Sequence, residues 1–330
     1  MRNTGRLLTL AACGAAFLFM AGCAALPHEP NEKYILVADN SKIPYWQTAV
    51  RGLNHAAAEM KVKSELQGPD GHDPQGEHDA FRRAVAEKPS GIMVSVSDVT
   101  LLAPDINAAI DQGIPVVTID SDAPESKRLF FVGTDNFNAG MIGGKLAAKL
   151  LGNKGNVVIY TMPTQNNLKE RLAGYTAAFS DHTDIKIMQT VDMNGNSDVA
   201  FDSAKKLLDA KTKVDAFICL EALACPAVGD VVNRAGMGGK VKVIAMDTDP
   251  GTIDWINKGV VSATIAQKPW TMGYYATKLL DDIHHHPAKP LSQNWAQSVF
   301  SLYPTFVDTG AFVVDKSNVG TLSQQPPSVQ

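Results

Sequence analysis

Five apolar runs in this 330-residue chain stop at a carboxylate or a carboxamide. Asp120 follows Val116–Ile119, with Ser121 and Asp122 behind it. Asp247 follows Val243–Met246, with Thr248 and Asp249 behind it. Glu221 follows Phe217–Leu220, Gln267 follows Thr264–Ala266, and Asp39 and Asn40 follow Ile35–Ala38. Any one of these residues could cap the next helix. Taken together, carboxylates and carboxamides at converging strand ends can accept from, or bridge, vicinal hydroxyls, which suits a polyhydroxylated ligand. Two further features fit such a ligand. Tyr45 and Trp46, beside Pro44, offer either core packing or an aromatic platform for C–H groups. Arg171 follows the polar loop Thr164–Asn167 and is either a surface ion-pair partner or a bidentate donor.

Signatures of covalent or cofactor chemistry are missing. There is no G-x-S-x-G elbow. Gly140-Met-Ile-Gly-Gly-Lys145 approaches a phosphate loop but runs on into Leu146 inside a helical stretch. Gly236-Met-Gly-Gly reads as a helix C-terminal turn. His72 and His78, with Glu77, read as solvated loop residues rather than metal ligands. His284–His286 complement a helix C-terminus. No enzyme activity, no metal and no cofactor is expected.

The elements that must position these residues alternate strictly. Strands are expected at Tyr34–Ala38, Val62–Leu66, Gly91–Ser95 and Val116–Ile119, with helices between them at Tyr45–Met60, Glu77–Glu87 and Leu101–Asp111. After the polar crossover Gly133–Asn136 the cycle repeats. Helix Phe137–Leu151 leads to strands Asn156–Tyr160, Ile185–Val191, Ala216–Leu220, Val241–Met246 and Ser262–Ala266. Helices Leu168–Ser180, Val199–Ala210, Pro226–Ala235 and Thr252–Asn257 separate them. Met272–His284 is the last long helix, and a strand is expected near Ser298–Leu302. Apolar strands alternating with helices mean doubly wound parallel sheets, and ligands bind outside the carboxyl ends of such strands.

Composition is that of a globular protein, 45% hydrophobic and 19% charged, and the net charge of −4 argues against nucleic acid as a partner. Residues 1–23 read as an export signal: Arg2 and Arg6 precede the apolar run Leu7–Met20. Met20-Ala21-Gly22-Cys23 looks like a bacterial lipoprotein signal with Cys23 lipidated. The alternative is an ordinary secretory signal with an incidental cysteine. Residues 24–32 read as a tether. Cys219 and Cys225 are expected as buried free thiols, although export permits a disulfide.

The chain resembles the periplasmic sugar-binding proteins of the ribose-binding type, the soluble receptors of ABC importers. The likeness covers roughly Tyr34–Asp308. It rests on Pro44-Tyr45-Trp46, Ile114-Pro-Val-Val-Thr-Ile-Asp120, Gly133-Thr-Asp-Asn136, Arg171-x-x-Gly174-Tyr175, Val243-Ile-Ala-Met-Asp247 and Ala263-Thr-Ile-Ala-Gln-Lys-Pro269. The resemblance implies two similar lobes joined by three crossovers and closing like a hinge on a monosaccharide or small polyol. The first lobe is then 33–134 with 268–300, and the second 135–267 with 301–314; 315–330 form a disordered tail. Crossovers fall near Thr134–Asn136, Gln267–Pro269 and Phe300. The implied ligand contacts are Tyr45, Trp46 and Asp120 from one lobe, Arg171, Glu221 and Asp247 from the other, and Gln267 at the hinge. Asp39, Asn40, Ser121 and Asn196 are weaker candidates. A membrane permease is the implied partner, and the protein is expected to be a monomer. Ile43, Ser121, Glu221 and Met246 depart from the ribose-binding pattern, so the identity of the solute stays open. Glu221–Pro226 also looks like the corresponding loop of autoinducer-2 receptors, which makes a sensory role the alternative.

Overall fold

The central strands of this chain are short apolar runs with no polar face. In β3 (Gly91–Val94) and β4 (Val116–Ile119) every residue is buried, as in β8 (Ala216–Cys219) and β10 (Ala263–Ala266). Such strands must be covered on both faces. The computed structural model describes residues 28–323. It provides that cover in two lobes. In chain order the first lobe begins with β1 (Lys33–Val37), α1 (Pro44–Met60), β2 (Lys63–Gln67) and α2 (Pro74–Ala86). It continues with β3, α3 (Val99–Asp111), β4 and β5 (Phe131–Gly133). The chain then runs through α4 (Asn136–Leu151), β6 (Gly155–Thr161), α5 (Asn166–Ser180), β7 (Ile185–Asp192) and α6 (Ser197–Asp209). β8, α7 (Ala224–Arg234), β9 (Lys242–Met246), α8 (Pro250–Asn257) and β10 follow. It ends with α9 (Pro269–His285), β11 (Phe306–Asp308) and β12 (Phe312–Asp315).

The two sheets have the same order, β2-β1-β3-β4-β5-β11 and β7-β6-β8-β9-β10-β12. All neighbours are parallel except β12, which runs antiparallel to β10. Each lobe has its own apolar core. The crossover helices change sides. Helix α4 follows a first-lobe strand but places Ala147 and Ala148 in the second core. Helix α9 follows a second-lobe strand but places Met272, Ala276 and Leu280 in the first.

Helix starts are set locally. Asp73, Asp98, Asp135, Asn196 and Asp249 each accept a backbone N–H of the first turn. Proline opens α1, α2, α8 and α9, where its missing N–H costs nothing.

The chain passes from one lobe to the other before α4 and again before α9. The C-terminal region differs from expectation. Ser298–Leu302 forms no strand, and Val299 and Phe300 are largely exposed. An apolar run does not by itself tell a paired strand from a loop. The added strand is β11, and it joins the first sheet beside β5. The third connection is therefore Thr309–Ala311, and residues 301–308 lie with the first lobe, not the second. The expected disordered tail is also partly structured. Val319–Ser323 is a short 3-10 helix whose Val319 packs into the second core. Residues 324–330, like the signal segment with Cys23 and residues 24–27 of the tether, lie outside the described residues. Cys219 and Cys225 are both buried free thiols.

Helices α4 and α5 cross in close contact. A Cβ on Gly140 would lie 2.2 Å from the Arg171 carbonyl oxygen, and one on Gly174 2.2 Å from the Phe137 carbonyl oxygen. Both obstacles are backbone. Gly174→Ala is therefore expected to lower stability by about 1–3 kcal/mol, read as a lower urea midpoint. Gly71→Ala, with open space around it, should leave the midpoint in place.

Candidate functional site

Strands β4 and β9 occupy matching places in the two sheets and end in the same way. The residue after each is an aspartate in the left-handed region, Asp120 at φ 62° and Asp247 at φ 68°. Aspartate tolerates this conformation better than most residues. Both side chains line a cavity between the lobes, together with Tyr45, Trp46, Arg171, Glu221 and Gln267.

Asp120 is held from both sides. The Tyr45 hydroxyl, from the start of α1, donates to its Oδ1 at 2.6 Å. The Asn167 amide, from α5 in the other lobe, donates to its Oδ2 at 3.1 Å. Arg171 Nη2 stands 4.0 Å from Oδ1. A further contact closes the cleft mouth, where Gly195 lies against the His72 imidazole. The lobes therefore meet in a closed arrangement.

Arg171 is the centre of the second-lobe half. It is 2% exposed. Its Nε donates to Asn136 Oδ1, its Nη1 to the Leu220 carbonyl oxygen and its Nη2 to Gln267 Oε1, each at 2.9 Å. Gln267 Nε2 in turn donates to Asp247 Oδ1 at 2.9 Å. Three of the five guanidinium N–H groups thus have protein partners, and the plane is fixed by them. The surface ion-pair reading of Arg171 does not hold.

The remaining candidates sort by what their oxygens already do. Glu221 accepts from the backbone N–H groups of Leu223 and Ala224 at 2.6 and 2.8 Å, so it caps α7 while lining the cavity. Asp249, not Asp247, caps α8. Asp39 accepts from the Asp73 N–H at 2.7 Å and pairs with His72 Nδ1, which ties the β2–α2 loop to the cleft wall. Asn40 also lines the cavity. Trp46 is largely a core residue, 6% exposed and edge-on to Tyr45 with ring centroids 5.0 Å apart.

Two weaker candidates do not reach the cavity. Ser121 turns back to donate to the Val96 carbonyl oxygen at 2.7 Å. Asn196 caps α6 by accepting from the Asp198 N–H, and its neighbour Gly195 lines the site instead. Nor are Glu77 and its histidines solvated. Glu77 is fully buried and accepts from the Asp39 and Ser97 N–H groups at 3.2 and 3.0 Å and from the Ser97 hydroxyl. His78 pairs with Asp105 at 2.7 Å. Asn167, Ser95, Ser97 and Gln165 line the cavity without having been singled out, and His72, read from the sequence as a solvated loop residue, lines it too. Asn167 carried a signal: it stands four residues before Arg171, on the same face of the same helix. Ser95 and Ser97 follow β3, so the strand-end rule covers them too.

The cavity offers about 80 Å3 to the centre of a water-sized sphere, where one water needs about 10–15 Å3. That is room for a small solute and not for a polymer. Three buried carboxylates share one buried guanidinium. Burial pushes the Asp120 carboxyl above its ordinary value, Asp247 up to about 6 and Glu221 up to about 7, while Arg171 pulls all three down. Donors that face the charged forms would reverse the burial effect.

Two parallel-sheet lobes, three connections and a polar cleft at converging strand ends define a hinged binding protein. Residues 34–285 match the periplasmic binding protein domain, and the chain belongs to the periplasmic binding protein family, with the type I fold. It is 26% identical over 261 residues to the D-allose-binding periplasmic protein of Escherichia coli, covering 76% of this chain and 84% of that one. Among solved structures it resembles AraP, an arabinose-binding protein from Geobacillus stearothermophilus, with 32% identity and a TM-score of 0.74. That match covers 88% of this chain and 99% of AraP. A further neighbour, solved as the XylFII-LytSN complex, is 31% identical with a TM-score of 0.77, over 88% of this chain and 99% of that chain.

The raised carboxyl groups make stability depend on pH. An acid whose pKa rises on folding binds its proton more tightly when folded, so stability falls as pH rises from its unfolded to its folded value. That window runs from 3.8 to about 6 for Asp247 and from 4.5 to about 7 for Glu221. Glu77, pushed up to about 8 by burial, adds in the same direction. The ligand-free thermal midpoint should therefore decline between about pH 4 and 7. Asp247→Asn keeps an oxygen for Gln267 and should flatten the decline in a scanning-fluorimetry pH series; an unchanged slope would show that Asp247 does not contribute.

Proposed function

We propose that the chain is the solute receptor of an ABC sugar importer, binding one monosaccharide or small polyol between its lobes. The observation that carries this is Asp120, gripped by Tyr45 of its own lobe at 2.6 Å and by Asn167 of the other at 3.1 Å. A ligand at that point touches both lobes, so it binds the closed form better and shifts the hinge toward it. Carboxylates accept from the hydroxyls, Arg171 and Asn167 donate to them, and the rings of Tyr45 and Trp46 cover an apolar face. No bond is made or broken, so the protein is a binding protein and not an enzyme. Its relatives named for allose and arabinose support the substrate class. Export and lipidation at Cys23 would hold it at the membrane as a monomer, in the periplasm or cell envelope, where the closed form docks on the permease. A second reading is a ligand sensor of the same fold. It draws on the neighbour solved as the XylFII-LytSN complex and on the Glu221–Pro226 loop.

A thermal-shift screen against pentoses, hexoses, polyols and autoinducer-like compounds tests the class. A true ligand at a hundred times its Kd adds about 2.7 kcal/mol of stability. Asp120→Ala and Asn167→Ala should each weaken the hit at least about tenfold by calorimetry, since each removes a hydrogen bond to a charged group. Normal binding by both variants would place the ligand elsewhere.

A further inference from the structure

The segment before β1 meets the far end of α9, about 24 Å along that helix from its cleft end at 1.5 Å per residue. Four side chains converge there: His28 and Glu32 from the segment, Asp281 and His285 from α9. One ligand-type atom from each lies within 4.8 Å of all the others. His28 Nε2 is 3.1 and 3.2 Å from the two Asp281 oxygens. His285 Nε2 is 3.3 Å from Glu32 Oε2 and 3.7 Å from Asp281 Oδ1. Asp281 and His285 stand four apart, on one face of the helix.

We propose that these four residues form a tetrahedral zinc site that pins the N-terminal segment to α9. Zinc bonds of about 2.0–2.1 Å imply ligand–ligand edges of about 3.3–3.4 Å, close to the separations observed. The charge balance points the same way. Glu32 is 4% exposed, Asp281 is 15% exposed, and neither has a lysine or arginine among its ion pairs in the described residues. A divalent cation neutralises both carboxylates and leaves both imidazoles free to ligate. Two nitrogen ligands favour zinc over calcium or magnesium. The carboxylates are oriented by outer partners, as ligating groups usually are. The Tyr34 hydroxyl donates to Asp281 Oδ1 at 2.9 Å, and the Glu29 N–H donates to Glu32 Oε1 at 2.7 Å. The two halves of the cluster, each a pair four residues apart, are 253 residues apart in the chain, so neither half announces the other. The histidine run that reads as a dipole complement thus supplies His285 to a cluster.

The test uses the full-length chain, purified in detergent, stripped with a chelator and titrated with zinc chloride. One equivalent of zinc should remain after desalting, with a raised Tm, and calcium chloride should give neither. His28→Ala, which lies ahead of the first strand, and His285→Ala should each weaken zinc binding tenfold or more. His286→Ala, on an exposed neighbour, should not. No zinc uptake at micromolar metal, or full uptake by both His28→Ala and His285→Ala, would overturn the site and leave ordinary histidine–carboxylate ion pairs. Sugar binding should be unchanged in every variant, so the result is independent of the cleft.

Discussion

Everything at the cleft depends on where Arg171 is held. A buried guanidinium is tolerable only when its N–H groups are met and its charge is balanced. Here three fixed acceptors meet it: a side chain at the start of α4, a carbonyl oxygen at the end of β8 and the Gln267 amide after β10. Those three points are a crossover helix, a central strand and a hinge strand. One side chain thus ties the hinge to the second-lobe floor. Its charge is shared by Asp247 through Gln267 and by Asp120 across the cleft. The glycines at the α4–α5 crossing matter for the same reason, because α5 carries Arg171 and sits directly on α4.

The two lobes use one construction twice. In each, the first helix after the first strand carries cleft residues near its start: Tyr45 and Trp46 on α1, Asn167 and Arg171 on α5. In each, that helix is backed by a helix arriving from the other lobe. Gly52 and Gly273 let α1 and α9 approach as closely as Gly140 and Gly174 let α4 and α5. The matched left-handed aspartates complete the correspondence. The chemistry mounted on the shared frame differs, however. The first lobe supplies an aromatic pair and an aspartate, and the second supplies the cation. A ligand that satisfies both halves therefore cannot bind equally well to either lobe alone.

Much of this was legible because strand ends in a parallel sheet obey a geometric rule. Asp120, Asp247, Glu221, Gln267, Asp39 and Asn40 all end apolar runs, and all line the cavity. The rule says which residues sit at the right edge, but not how each side chain turns. Ser121 follows Asp120 directly and still points back to Val96, because the left-handed turn at Asp120 sends the next residue the other way. Asn196 went to a helix cap, an alternative that every such residue carries. Glu77 looked solvated because a Gly/Pro/Asp loop precedes it; its burial comes from Ser97 and Asp39, which are distant in sequence. The third connection was misplaced because β11 pairs with β5, and long-range pairing leaves no mark on a three-residue strand.

The electrostatics of the closed cleft bear on how a ligand favours closure. Asp120, Glu221 and Asp247 are all less than a tenth exposed, and burial raises all three carboxyl groups against a single neighbouring cation. Closing the lobes strips water from these oxygens and returns only some donors, among them the Asn167 amide on Asp120 and the Gln267 amide on Asp247. Opening returns the water. A solute with several hydroxyls changes the balance, since each hydroxyl can donate to a carboxylate oxygen that has lost its water and still has acceptor capacity to spare. The excess of negative charge is then not a defect of the site. It makes closure more favourable around a donor-rich ligand than without one, so that the ligand adds to the contact of two complementary lobes.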